Sequence, residues 1–115
     1  MECRMSHMTQ MEVAEAIAAR KAVIIPTGAT EAHGPLMPTD TDTHQVEHIA
    51  WLLAQRLGAL EPPPLAYGIS KTFEYFAGTI SLTIPTYQLL LLEIGAALVK
   101  QGFRHIIILN GNRPN

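Results

Sequence analysis

Residues 22–42 read AVIIPTGATEAHGPLMPTDTD. The opening run, Ala22-Val23-Ile24-Ile25, is apolar throughout and largely β-branched, which suits a parallel strand covered on both faces. The remainder, from Pro26 onward, cannot be helical throughout, because Pro26, Pro35 and Pro38 each lack a backbone donor and fix their own φ. Into this stiff, irregular stretch and its immediate continuation the chain places Glu31, His33, Asp40, Asp42 and His44. In an open α/β sheet the binding site lies beyond the carboxyl ends of the strands. Carboxylates and imidazoles gathered there point to metal ligation more than to solubility.

Working outward, Thr9 and Glu12 form a T-x-x-E capping box and start a helix running from about Gln10 to Arg20. The strand is expected over Ala22 to Pro26. After the loop, Val46, Ile49, Ala50, Leu53 and Leu57 recur at helical spacing, so a second helix is expected from near Thr43 to Leu57, with Gly58 as its C-cap. Pro62-Pro63-Pro64 then forces extended chain, leading into a short strand or extended segment at Leu65 to Gly68. Gly78 to Leu82 alternates in polarity, as a short edge strand would. A third helix is expected over Tyr87 to Lys100, closed by Gly102; its apolar residues go almost all round, which calls for burial against the sheet or a partner chain. Phe103 to Leu109 reads as a last, central strand. Strands alternating with helices give an α/β protein with a mostly parallel sheet. No helix follows the last strand, so the chain is expected to be one partial domain, residues 1–115, completed by further sequence or by a partner subunit.

The 115 residues carry a formal charge of −2, a mean hydropathy of +0.16 and 48% hydrophobic residues. This composition offers no basic patch for nucleic acid and no polybasic membrane signal. The longest apolar runs, Leu89 to Leu92 and Ile106 to Leu109, are far below the roughly 18 residues of a membrane span. The single cysteine, Cys3, cannot form an internal disulfide, so the expected setting is a reducing cytoplasm. Placed near an N-terminus expected to fray, it is not a candidate catalytic thiol, and His7 is expected to be disordered.

Among the candidate sites, Glu31-x-His33 with Asp42 offers two carboxylates and an imidazole, a set suited to Zn²⁺ or Mn²⁺. The plain alternative makes Asp40 or Asp42 only the N-cap of the second helix and His33 a solvated loop residue. A rival, His44-Gln45-Val46-Glu47-His48, matches the H-x-x-E-H metallopeptidase pattern, but it lies on a helix with an ordinary amphipathic reading and lacks a third ligand. His105 reads as a structural or surface residue. Gly28 to Gly34 lacks the lysine of a phosphate loop, and no G-x-S-x-G elbow is present.

The stretch Pro26 to Asp42 resembles the hallmark of the creatininase family, roughly P-x-G-[ST]-x-E-x-H-G-P-H-L-P-L-x-T-D. The resemblance extends to Tyr67-Gly68, to Phe76 through Ser81 (FAGTIS), and to Gly102 through Gly111 (GFRHIIILNG), in order across the chain. It implies a three-layer α/β/α fold with a dinuclear divalent-metal centre, Zn or Mn, that hydrolyses a small amide or related C–N bond by metal-activated water. It also implies a homo-oligomer, since many members form hexamers. Glu31, His33 and Asp42 fall on the family's metal-ligand positions, with Asp42 rather than Asp40 matching the T-D of the motif.

This chain departs from the pattern at several points. Leu36 stands where the family has a second histidine, and Phe73 where it has another. The family's N-G-H-[GY]-[GE]-N becomes Asn110-Gly111-Asn112-Arg113-Pro114-Asn115, so Asn112 replaces a ligating imidazole and is at most a substrate-binding residue. An amide oxygen is a poor ligand for zinc, although it serves harder ions. Members are also about twice this length. The resemblance therefore implies either a metal-dependent amidohydrolase or a non-catalytic remnant acting in assembly or ligand binding, and it assigns no general acid or base.

Overall fold

A computed structural model describes residues 1–115. Helix α1 covers Gln10–Ala18, strand β1 Val23–Thr27, helix α2 Thr41–Leu57, helix α3 Ile84–Gln101 and strand β2 Ile106–Asn110. The two strands pair in parallel, with Val23 opposite Ile106 and Thr27 opposite Asn110. Every residue of β1 is buried, as its unbroken apolar run requires.

Alternation along β1 builds the two cores. Val23 and Ile25 face Ala16 of α1 and Leu98 of α3, joined by Leu60, Leu65 and Phe103. Ile24 points the other way, against Ala50 and Ala54 of α2 with Cys3 and Ala59. Helices therefore cover both faces of the sheet, the three-layer α/β/α arrangement expected. On α2 the small residues Ala50 and Ala54 allow close helix–sheet approach. At the carboxyl end Gly111 completes this contact, since a Cβ there would lie 2.6 Å from Val46 Cβ.

Several local expectations need correction. α1 stops at Ala18 because Arg20 takes a left-handed φ of 58°. α2 begins at Thr41, where Thr41 Oγ1 donates to the Pro38 carbonyl at 2.6 Å, and this puts Asp42 in its first turn. α3 begins at Ile84, because Thr83 Oγ1 accepts from the Thr86 amide and Pro85 sits in the first turn, where its missing N–H is not needed. Leu65 to Gly68 and Gly78 to Leu82 are not strands: they contribute only single bridges, Thr27 with Leu65, Gly68 with Ser81 and Thr30 with Ile80. Three consecutive prolines before Leu65 remove the donors a continuous ladder would need.

The N-terminus is not frayed. Glu61 donates its amide to the Cys3 carbonyl at 2.7 Å, and the Met5 amide donates to the Glu61 carbonyl at 2.8 Å. Cys3 is thus a buried thiol in the core, and burial raises its pKa. His7 closes a short 3₁₀ turn beside the Glu2 carboxylate, at 3.0 Å. Leu60 and Leu65 bridge the side of β1 away from β2, so β1 has neighbours on both sides, and Ile107 and Ile108 of β2 are exposed. α3 is likewise less buried than its sequence demands. Only Tyr87 and Leu98 are fully enclosed, while Ile84, Leu89, Leu92 and Val99 face outward.

Candidate metal centre

The loop between β1 and α2 is pinned by hydrogen bonds from its own side chains and backbone, from Thr43 of α2 and from Thr79. Thr43 Oγ1 accepts from the Ala29 amide at 3.1 Å and donates to the Ala29 carbonyl at 2.9 Å, tying the loop to the first turn of α2. Thr30 Oγ1 donates to the Ala66 carbonyl, the Glu31 amide to the Thr39 carbonyl, and the Ala32 amide to Thr79 Oγ1. Gly28 lets the chain pass directly against Thr43, where any Cβ would collide with it.

This scaffold brings Glu31, His33 and Asp42 together, with one potential ligand atom from each lying within 4.8 Å of the others. His33 Nδ1 lies 3.1 Å from the Glu31 carbonyl, an acceptor only, so Nδ1 carries a proton and donates. That leaves Nε2 facing Asp42 Oδ1 at 3.2 Å and Glu31 Oε1 at 4.0 Å. An anchored Nδ1–H with Nε2 turned toward carboxylates is the arrangement seen in metal-ligating histidines. Two ligands about 2.1 Å from one ion stand roughly 3.0–3.4 Å apart, so the His33–Asp42 spacing fits a shared divalent cation.

The electrostatics agree with that fit. The Glu31 carbonyl, and beyond it the Asp42 carboxylate, push the His33 imidazole pKa up against the opposing effect of burial. Burial raises the pKa of Glu31; the Ser70 hydroxyl opposes this and the Asp42 charge adds to it. Two carboxylates this close repel, and a proton or a cation is needed to relieve them. Ser70 Oγ is itself buried without a hydrogen bond of good geometry, close enough to Glu31 to ease its charge but not to pair with it.

Glu31 and Asp42 open onto a cleft of about 340 Å³, lined also by Ser70, Thr72, Phe73, Gly111, Asn112, Arg113 and Pro114. Asn112 is buried there. Its Nδ2 donates to the Ile69 carbonyl at 3.0 Å and to Asn115 Oδ1 at 2.9 Å, which fixes the orientation of the amide. Asn115 in turn donates to the Gly28 carbonyl at 2.9 Å, so segments far apart in sequence meet behind the site.

The plain reading of the loop fails at Asp42, whose carboxylate goes to His33; Asp40 holds the N-cap position but its side chain makes no capping bond. His44 and His48 lie on the outer side of α2, His48 near Trp51, and neither joins a ligand cluster. Leu36 is 93% exposed and His105 is on the surface. Phe73, at the other replaced histidine, does line the cleft. Ser70, Thr72 and Arg113 are cleft residues that sequence reasoning misses, because lone hydroxyls and one arginine carry no spacing signal.

Residues 6–115 match the family model described as creatininase, creatinine amidohydrolase. The chain belongs to the creatininase family. Among curated relatives it is 38% identical over 99 residues to the mycofactocin precursor peptide peptidase of Mycolicibacterium smegmatis, covering 81% of this chain and 40% of that one. It is 31% identical over 114 residues to the creatinine amidohydrolase of Pseudomonas putida, covering 94% and 44%. A solved manganese creatininase superposes with a TM-score of 0.95 at 29% identity, over 100% of this chain and 47% of that one. This creatininase-family chain thus spans less than half the length of these relatives.

Proposed function

We propose that this chain carries the metal-binding face of a metal-dependent hydrolase acting on a small amide or related C–N bond. The observation that carries the reading is the convergence of Glu31, His33 and Asp42, with His33 Nδ1 anchored on the Glu31 carbonyl. These three are the proposed ligands of a divalent ion, zinc or manganese. Solved creatininases of this fold include a manganese form and a zinc–zinc form, and a dinuclear centre is the proposed state here too. When bound, such a centre supplies Lewis-acid polarisation of a carbonyl and a water of lowered pKa.

The chain's own residues set the geometry. The Glu31 carbonyl fixes the tautomer and the plane of His33. Thr43 fixes the loop relative to Asp42. Ser70, Phe73 and Asn112 form the wall against which an amide substrate would lie, and Asn112 is assigned to substrate binding. The homo-oligomeric state and a cytoplasmic setting, consistent with one unpaired thiol, complete the proposal; no helix is long and apolar enough to cross a membrane.

A second reading, a non-catalytic module for ligand binding or assembly, is favoured by Asn112, an amide where the family pattern has an imidazole. Metal analysis of the purified chain beside a His33→Ala variant tests the first reading. Zinc or manganese retained above the variant's level is expected, and equal content in both proteins would sink it. Metal-dependent turnover of small cyclic or linear amides by this chain would exclude the second.

A further inference from the structure

The turn that follows β2 carries three asparagines, whose side-chain amides bond to one another and to backbone around the cleft. Asn110 Oδ1 accepts from the Asn112 amide at 3.1 Å, and Asn110 Nδ2 donates to the Asn112 carbonyl at 2.8 Å. The Asn115 backbone amide donates to that same carbonyl at 3.0 Å and closes the turn. Bonding of this kind, from an asparagine to backbone two residues on, is an ordinary way to shape a turn.

Asn115 does more, because its side chain uses every hydrogen-bonding position it has. Oδ1 accepts from the Ile69 amide and from Asn112 Nδ2, both at 2.9 Å. Nδ2 donates to the Gly28 carbonyl at 2.9 Å and to Asn110 Oδ1 at 3.2 Å. The Ile69 N–H can only donate and the Gly28 carbonyl can only accept, so the Asn115 amide has a single orientation. Gly68 makes room for it: any Cβ there would collide with Asn115 Oδ1 and lie 2.7 Å from the Gly28 carbonyl.

These bonds reach the segments that shape the cleft. Gly28 precedes Ala29, which Thr43 ties to the first turn of α2. Ile69 precedes Ser70, and Ser70 and Asn112 line the cleft with Glu31 and Asp42. Asn112 Nδ2 commits one proton to Asn115 Oδ1 and the other to the Ile69 carbonyl at 3.0 Å, so its amide cannot turn. We infer that Asn115 is a positioning residue of the cleft, whose Oδ1 holds the Asn112 amide and the Ile69–Ser70 backbone in the geometry that receives the substrate. That the ligand is an amide bound beside a metal ion rests on the hydrolase reading above; that Asn115 fixes Asn112 does not.

NMR of the purified, zinc-loaded chain tests this through two readouts. One is solvent exchange of the Asn112 Nδ2 protons, and the other is titration with N-acetylglycinamide, a linear amide, and hydantoin, a cyclic one. Asn115→Ala should speed the exchange about tenfold or more and weaken the tighter-binding probe about tenfold. Asn115→Asp keeps the two accepted bonds and loses the two donated ones. It should lose stability in denaturant unfolding yet hold both readouts within about threefold of the wild type. Thr9→Ala, which removes the cap of α1 outside the cleft, is the stability control. Readouts that follow stability through all three variants would overturn the inference, since Asn115 would then only hold the fold. So would an Asn115→Ala variant with both readouts unchanged. Should Asn115→Ala fail to fold, Asn115→Asp decides against Thr9→Ala, with parallel loss of stability and readouts counting against positioning. A wild type that binds neither zinc nor either probe would refute the hydrolase reading, and Asn112 exchange alone would then decide the role of Asn115.

Discussion

His33 is held between two kinds of oxygen, a backbone carbonyl at Nδ1 and a carboxylate at Nε2, and a neutral ring satisfies only one of them. The loop that poses it depends on Thr43, whose hydroxyl serves both the amide and the carbonyl of buried Ala29. Thr43→Val keeps the shape and orphans both groups. It is expected to cost about 1–3 kcal/mol in denaturant unfolding and to weaken metal binding, whereas Thr43→Ser should retain most of both. Glu61 gives a pH signature elsewhere in the chain. Burial raises its pKa despite the Arg4 guanidinium, and Oε1 has no partner. A raised folded-state pKa favours the protonated form, so its contribution is full below the unfolded value of about 4.3 and is lost as pH rises through the folded value. Unfolding measured from acid to neutral pH should therefore show the wild type losing stability relative to Glu61→Gln. A constant difference across that range would contradict the assignment.

At the scale of elements, the contact between α2 and the sheet positions the site. Asp42 sits in the first turn of α2, and Gly28 and Gly111 let the loop and the end of β2 approach that helix. Gly111→Ala would place a methyl group 2.6 Å from Val46 Cβ. Relief requires α2 to shift, so a loss of about 1–3 kcal/mol is expected in thermal or denaturant unfolding. The capping box of α1 is legible from Thr9 and Glu12 alone, and both reciprocal bonds are present. The start of α2 is not, because three threonines and two aspartates between Thr39 and Thr43 offer equivalent caps. Asp40 takes the N-cap position, and the burial of Thr41 and Thr43 against the loop fixes the rotational phase of the helix. The same phase carries Asp42 to His33 and turns His44 and His48 away from it.

At the scale of the whole chain, these 115 residues, which span less than half the length of their relatives, expose more surface than a folded monomer of their mass. Its accessible area is 7314 Å², against about 6,200 Å² for a folded monomer of this size. Its radius of gyration is 15.0 Å, against about 13 Å. Much of the excess is apolar, with Ile84, Leu89, Leu92 and Val99 along α3 and Ile107 and Ile108 on the edge strand. Surfaces of this kind are normally covered. Light scattering of the purified chain should therefore report an assembly, with the mass falling in a Leu92→Glu, Val99→Glu double variant. A stable monomer in the unsubstituted chain would contradict the proposed association.

Sequence alone determined what depends on near neighbours along the chain. The apolar run of β1, the stripe of α2, the glycine stops at Gly58 and Gly102, and the triplet Glu31, His33 and Asp42 all arise from composition, spacing and family pattern. Tertiary structure decided whatever required distant segments to meet. Cys3 and Arg4 meet Glu61, and Leu60 and Leu65 bridge the side of β1 away from β2. Ser70 and Asn112, distant in sequence, meet Glu31 and Asp42 around one cleft. Periodicity and capping act over one or two turns and leave a local signature, whereas a lone hydroxyl or side-chain amide acquires a role only from what folding sets opposite it.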